Sequence, residues 1–191
     1  VVADNLKNVE AMLAARKPTF VKDWKMSDFA NLPKLRHDEE TVMRGMAAFV
    51  KARCNQCHVV AGHGIPLGPD LTKISERFKG KKLLQQMLAP STEINKKFQT
   101  WQLLMDDGKV HSGVISKEDD ADYHVIKNLL VPTAVTKIAK KNVDERFASK
   151  VSPMPEGLLK VLTREEILDV VSFLEAGGYQ PPGHLKHKHG E

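Results

Sequence analysis

Cys54-Asn55-Gln56-Cys57-His58 decides how the rest of the chain is read. The pattern is C-x-x-C-H, the attachment signature of a c-type haem. Two thiols at this spacing add to the two vinyl groups of one haem, and the adjacent histidine reaches the iron from one side. Cys54 and Cys57 are therefore read as the thioether anchors of a single covalent haem c, with His58 as the proximal axial ligand. They are the only two cysteines in the chain, so none remains for a disulfide. Two other chemistries use a C-x-x-C pair. A thiol redox motif sits where a strand leads into a helix, its first sulfur activated at the helix N-terminus; here the motif ends an amphipathic stretch. A structural zinc site needs four convergent ligands, and no second cysteine pair is present.

Upstream of the motif, Asp38 is read as an N-cap, with Glu39 and Glu40 at the positive end of the helix dipole. Val42, Met43, Met46, Phe49 and Val50 then make one apolar face that runs to within about a turn of Cys54. Gly45 lies inside this helix, where glycine costs about 1 kcal/mol relative to alanine. Close approach by another element is expected there. The expected partner is the last helix, in which Thr163 caps Arg164-Glu165-Glu166, and Ile167, Val170, Val171 and Leu174 form the buried stripe. Gly177-Gly178 ends it. Further upstream, Leu6, Val9, Met12 and Leu13 predict a helix over 4–16, closed by Pro18. The stretch from Trp24 to Leu35 is read as irregular, with Phe29, Leu32 and Leu35 lying over a core. Trp24 is read as packing, with a place beside the haem as its alternative.

Downstream, Ser152-Pro153-Met154-Pro155-Glu156-Gly157-Leu158 is the candidate for the distal side of the iron. Two prolines fix φ on either side of Met154, and Gly157 permits a sharp turn after it. A loop stiffened in this way holds a weak thioether donor with little further loss of entropy. Core packing is the competing role for Met154, and His63, His111 and His124 are rival ligands. Between the two ligand segments, a short helix over 82–88 breaks at Pro90. Residues 98–105 read as a strand, Asp106-Asp107-Gly108 as a hairpin turn, and 110–116 as the returning strand. Residues 123–126 and 134–138 read as further strands, and 143–147 as a helical turn.

A first helix with Gly45 and Phe49, then C-x-x-C-H, then a terminal helix with Phe173-Leu174, resembles the cytochrome c fold. In that family the first and last helices cross at the small residue, and the Gly-Pro-x-Leu segment is matched here by Gly68-Pro69-Asp70-Leu71. The resemblance implies that the Pro69 carbonyl accepts a hydrogen bond from Nδ1–H of His58, fixing the imidazole tautomer. It also places a distal methionine shortly before the last helix, where Met154 stands. The span 38–178 resembles the haem-binding domain of the Pirellula and Verrucomicrobium type. The matching marks are Gly62-His63-Gly64, Leu84 with Pro90-Ser91, Asp107-Gly108, and the segment from Ser152 to Leu158. The implied fold class is mainly α, a cytochrome c-like helical fold around one covalent haem. A small antiparallel β insertion separates the proximal and distal ligand segments. The implied division is a helical extension or linker over 1–36, a haem domain over 37–180 with its β insertion at about 98–140, and a basic, His-rich tail over 181–191. Arg77 is read as a partner for a haem propionate, with a plain surface position as its alternative. Phe78 is read as a pocket wall, with general core packing as its alternative.

Composition bounds the remaining classes. With 191 residues, 41% hydrophobic and 28% charged, the chain is ordinary for a globular protein with a sizeable core. No apolar run approaches the roughly 18 residues of a membrane span. The net charge of +5 is spread in small groups, without the basic stripe and interleaved aromatics of a nucleic-acid binder. Covalent haem attachment implies a periplasmic or otherwise extracytoplasmic setting, reached as a processed form or as a segment of a longer exported protein. The expected function is non-enzymatic: a single-electron carrier between redox partners, the partner being a separate redox protein or a fused dehydrogenase module. A gas sensor or haem enzyme with a displaceable distal ligand is the alternative, and a structural haem domain the third class.

Overall fold

The computed structural model describes residues 19–129, 131 and 133–179. The helix expected over 4–16 and the tail over 181–191, with His184, His187 and His189, lie outside the described residues. The chain divides into two compact units. One comprises Val1–Pro66, Asp70–Leu88 and Gly157–Glu191; the other comprises Leu67–Pro69 and Ala89–Glu156.

The first unit is helical. Helix α1 spans Glu39–Lys51. Asp38 caps it, its carboxylate accepting the Thr41 N–H at 3.1 Å. Helix α2 spans Gly80–Leu88 and α3 spans Arg164–Glu175. Thr163 and Glu166 cap α3 reciprocally: the Thr163 hydroxyl accepts the Glu166 N–H at 3.2 Å and the Glu166 carboxylate accepts the Thr163 N–H at 2.7 Å. That arrangement satisfies two of the N–H groups a helix start leaves open. The core is formed by Val42 and Phe49 of α1, Leu83 and Leu84 of α2, and Ile167, Val170, Val171 and Leu174 of α3, with Phe29 and Leu162 from the connections.

Helices α1 and α3 cross at Gly45. A Cβ there would lie 2.1 Å from the Asp169 carbonyl oxygen and 2.6 Å from the Phe173 Cβ. Phe49 and Phe173 meet beside the crossing with ring centroids 5.5 Å apart and planes tilted by 50°, an arrangement worth about 1 kcal/mol beyond area burial. Polar groups frame the contact: Arg44 Nε donates to Asp169 at 2.7 Å and Lys51 to Glu166 at 2.7 Å. Met43, expected on the apolar face, is 46% exposed. It follows Val42 by one residue, about 100° around the helix, and falls off the stripe.

The second unit is a strongly curled antiparallel sheet. Strands β1 (Val59–Val60) and β2 (His63–Gly64) form a small hairpin in the first unit. The sheet of the second unit consists of β3 (Thr100–Met105), β4 (Val110–Glu118), β5 (Asp122–Ile126), β6 (Val135–Ala139) and β7 (Val143–Ala148). All pairings are antiparallel, in the order β6-β5-β4-β3-β7. The two edge strands are consecutive in the chain, joined only by the 3-10 turn Lys140–Asn142. A flat sheet would hold its edges roughly 19 Å apart, at about 4.8 Å per strand pair. Four Cα steps span at most about 15 Å. The register also sets Ala139 level with the Glu118 end of β4 and Val143 level with its Val110 end. For so short a link to join them, the sheet must coil strongly, toward a small barrel. Leu103, Val125 and Ile138 fill its inside, with Met105, Ile115, Tyr123 and Val143 packed against them. The Arg146 guanidinium lies 4.7 Å from the Trp101 ring centroid and 5.2 Å from that of Tyr123, and it pairs with Glu118 at 3.0 Å.

This corrects the expected fold class. Three α-helices of 13, 9 and 12 residues share the described chain with a five-stranded and a two-stranded sheet. The architecture is mixed α and β, not mainly α. The insertion builds its own core and is larger than expected, because residues 143–147 form edge strand β7 and not a helical turn. The residue paired with the buried Leu103 is Arg146, itself exposed, so the apolar alternation that signals a strand is missing there.

Two outcomes follow from this packing. Gly45→Ala gains helix propensity of about 1 kcal/mol but forces a methyl against backbone, so a net loss of about 2 kcal/mol is expected from overpacking. Urea unfolding of the haem-loaded protein checks it. In the β4–β5 turn, the Asp119 carboxylate accepts from the Asp122 N–H at 2.9 Å and lies 2.7 Å from His124 Nε2. The His124 contact, first, and these backbone bonds lower its carboxyl from 3.8 to about 2. The folded state therefore holds this proton less tightly than the unfolded state. Its contribution to stability is present above 3.8 and is lost as pH falls toward 2. Asp119→Asn is expected to flatten that part of an acid-unfolding profile followed by circular dichroism.

Candidate functional site

Helix α1 stops where the motif begins. Arg53 takes a left-handed conformation (φ 61°), which ends the helical path and starts the 3-10 turn Cys54–Gln56. Within that turn the Cys54 carbonyl accepts N–H groups from both Cys57, at 3.1 Å, and His58, at 3.0 Å. One carbonyl thus ties the backbone of both cysteines and the histidine into a single turn. Gly64 lies directly over it: a Cβ at Gly64 would be 2.1 Å from the His58 carbonyl oxygen, and its φ of 116° suits glycine. The next N–H, of Ile65, donates to the Asn55 carbonyl at 2.9 Å. Beyond the motif, the Leu71 N–H donates to the Val59 carbonyl at 2.8 Å. The Ala61 N–H donates to the Thr72 hydroxyl at 2.8 Å, and that hydroxyl donates to Asp70 at 2.6 Å.

The cysteines occupy different environments. Cys54 is buried in the helical core and Cys57 is half-buried. Neither is in a disulfide. Burial pushes the Cys54 thiol up to about 12 and also raises that of Cys57. A dithiol redox motif requires the reverse, a thiol lowered toward neutrality. Among the described residues, no three His, Cys, Asp or Glu side chains are grouped to hold a metal ion. Two unpaired thiols and a histidine on one turn, one sulfur facing the apolar core, fit covalent haem c.

The other expected site residues fall in both units. Arg77 and Phe78 belong to the helical unit, where their N–H groups both bond the Ile74 carbonyl, at 3.0 and 2.9 Å. Phe78 packs against the helical core, and the Arg77 guanidinium lies 4.9 Å from its ring centroid. Pro69 and Met154 belong to the barrel unit. Met154 is half-buried. Its N–H donates to the Ser152 hydroxyl at 3.1 Å, and the Ser152 N–H donates to the Ser91 hydroxyl at 3.1 Å. Among the rival histidines, His63 is exposed on β2, His111 Nδ1 lies 3.1 Å from the Lys127 ammonium, and His124 is engaged by Asp119. Sequence reasoning passed over Gly64 as a backbone contact and the left-handed Arg53. Gly64 enters the sequence reading only within Gly62-His63-Gly64.

Residues 42–122 match the family model for cytochrome c. No curated protein matches the chain. The match runs from α1 through the C-x-x-C-H turn and into β5, so it covers every residue placed at the covalent anchor.

The attachment chemistry has a direct check. The haem is expected to stay with the polypeptide through acidic organic extraction and denaturing electrophoresis, and the mass is expected to rise by one haem. Cys54→Ala or Cys57→Ala alone should leave one thioether, and the double variant should release the haem.

Proposed function

We propose that the chain is a c-type cytochrome, one haem c held through Cys54 and Cys57, that carries single electrons between redox partners, and that His58 and Met154 would hold its iron. The observation that carries the reading is the C-x-x-C-H turn, clasped by one carbonyl and built onto the helix crossing at Gly45. When bound, haem c supplies one-electron exchange at its iron. The work of the chain is to keep that exchange free of rearrangement. Cys54, buried in the core, and the backbone contacts of Gly64 and Ile65 fix the proximal turn. On the distal side, Pro153 and Pro155 stiffen the methionine segment, and the Ser91–Ser152–Met154 hydrogen bonds support its backbone. A soft thioether favours the ferrous state relative to a second histidine, giving a higher potential. In this reading the Pro69 carbonyl orients His58, Arg77 faces a propionate and Phe78 walls the pocket.

The partner is a redox protein of acidic surface or a fused dehydrogenase module, met in the periplasm or another extracytoplasmic space. Lys73, Arg77, Lys79, Lys81 and Lys82 are exposed within ten residues of one another, a basic run able to steer an acidic surface at moderate salt. No helix among the described residues is long and apolar enough to cross a membrane.

Carbon monoxide separates a carrier from an open-site sensor or enzyme. The ferrous parent is expected to bind it slowly and the oxidised parent to show the weak band of methionine ligation at the red edge of the visible. Met154→Ala should abolish the band, lower the potential and make carbon monoxide binding fast. A parent that binds it fast, with no change in Met154→Ala, overturns the assignment.

A further inference from the structure

Ahead of α1, residues 21–24 all engage one short piece of chain, and it is the piece that follows the methionine loop. The Val21 N–H donates to the Lys160 carbonyl at 2.7 Å and the Lys22 N–H to the same oxygen at 3.3 Å. Asp23 pairs with the Lys160 ammonium at 3.2 Å. The Trp24 indole N–H donates to the Leu162 carbonyl at 3.0 Å. The strap is itself anchored. The Trp24 ring lies 5.6 Å from that of Phe29, which is fully buried in the helical core. Arg164 reaches back from the start of α3 to the Asn31 carbonyl at 3.2 Å.

The piece so held is the 3-10 helix Leu158–Val161. Four residues of 3-10 helix have poor hydrogen-bond geometry and no cooperative length to stabilise them. Their order comes from the buried Leu159 and Leu162 and from the strap. Gly157, in a left-handed conformation, begins this helix, and Met154 lies three residues before it. Along the chain, the methionine therefore falls between two held points. One is the Ser152–Ser91 hydrogen bond on its upstream side; the other is the strapped 3-10 helix on its downstream side.

We propose that the segment around Trp24 is a positioning element for the distal ligand. It holds the downstream anchor of the Met154 loop, and so sets how often the thioether leaves the iron. The proposal rests on the reading that Met154 is that ligand. It gives the stretch before α1 a role in the haem site through the Met154 loop.

The test uses the full-length, haem-loaded protein. Trp24→Phe removes the indole N–H but keeps a ring, and Trp24→Ala removes both. Losing one such hydrogen bond should raise the population of the ligand-off state about fivefold, and carbon monoxide capture by the ferrous protein should speed up in proportion. Trp24→Ala should exceed Trp24→Phe, and the red-edge band of the oxidised protein should weaken in the same order. Val42→Ala serves as the control, since it lowers the stability of the same core away from the strap, and it should leave the capture rate at the parent value. Met154→Ala, measured alongside, tells the two readings apart. Fast capture in Met154→Ala with parental capture in both Trp24 variants overturns the strap and leaves the ligation standing. No change in Met154→Ala overturns both. Equal acceleration by Val42→Ala at matched stability makes the effect global and also overturns the strap. If Trp24→Ala fails to retain a folded haem protein, Trp24→Phe decides alone.

Discussion

The helical unit depends on one close approach, that of α1 to α3 at Gly45. A side chain of any size there would meet the carbonyl of Asp169, so the distance between the two helix axes is set by the absence of a Cβ. The Phe49–Phe173 pair lies at the same crossing, and a wider separation would open a gap beside two buried rings. The haem motif begins three residues after α1 ends. Its position is thus inherited from the crossing, through a helix that cannot slide without losing that fit.

Much of this was legible because each feature has a local cause. Asp38 and Thr163 are capping residues at the right distance from apolar stripes, and the structure has both caps. Gly45 in the middle of an otherwise good helix signalled a tight contact, since nothing else explains its cost there. The C-x-x-C-H spacing is chemistry written directly into the sequence. The hairpin at Asp106-Asp107-Gly108 is a turn whose residues name it, and Gly108 has the required positive φ of 79°.

What was not legible depends on partners distant in sequence. Strand β7 was read as a helical turn because the position paired with Leu103 carries Arg146, an exposed residue whose partners Trp101, Tyr123 and Glu118 lie far away in sequence. That misreading hid how far the sheet extends, while the mainly α class was carried over from the resemblance to the cytochrome c fold. Met43 was drawn into the apolar face because an i, i+1 pair is ambiguous at the edge of a stripe. The distal segment shows the same limit. Its prolines are readable, whereas the Ser91 hydroxyl that bonds the Ser152 N–H is 61 positions away and carries no local mark.

That serine pair also bears on how the chain finds its fold. Arg44 and Asp169, which meet at the helix crossing, are 125 positions apart, and a contact that remote normally makes for slow folding. Ser91 and Ser152, however, bring the two ends of the barrel segment together. Once the barrel has formed, the polymer between them no longer explores space as a long loop. The helices then close a loop roughly half as long in free chain, which lowers its entropic cost by about 0.6 kcal/mol. The saving is modest, but it makes the insertion self-contained. Its strands and turns can diverge in length and sequence while the helical frame around the haem motif keeps the same distance to span.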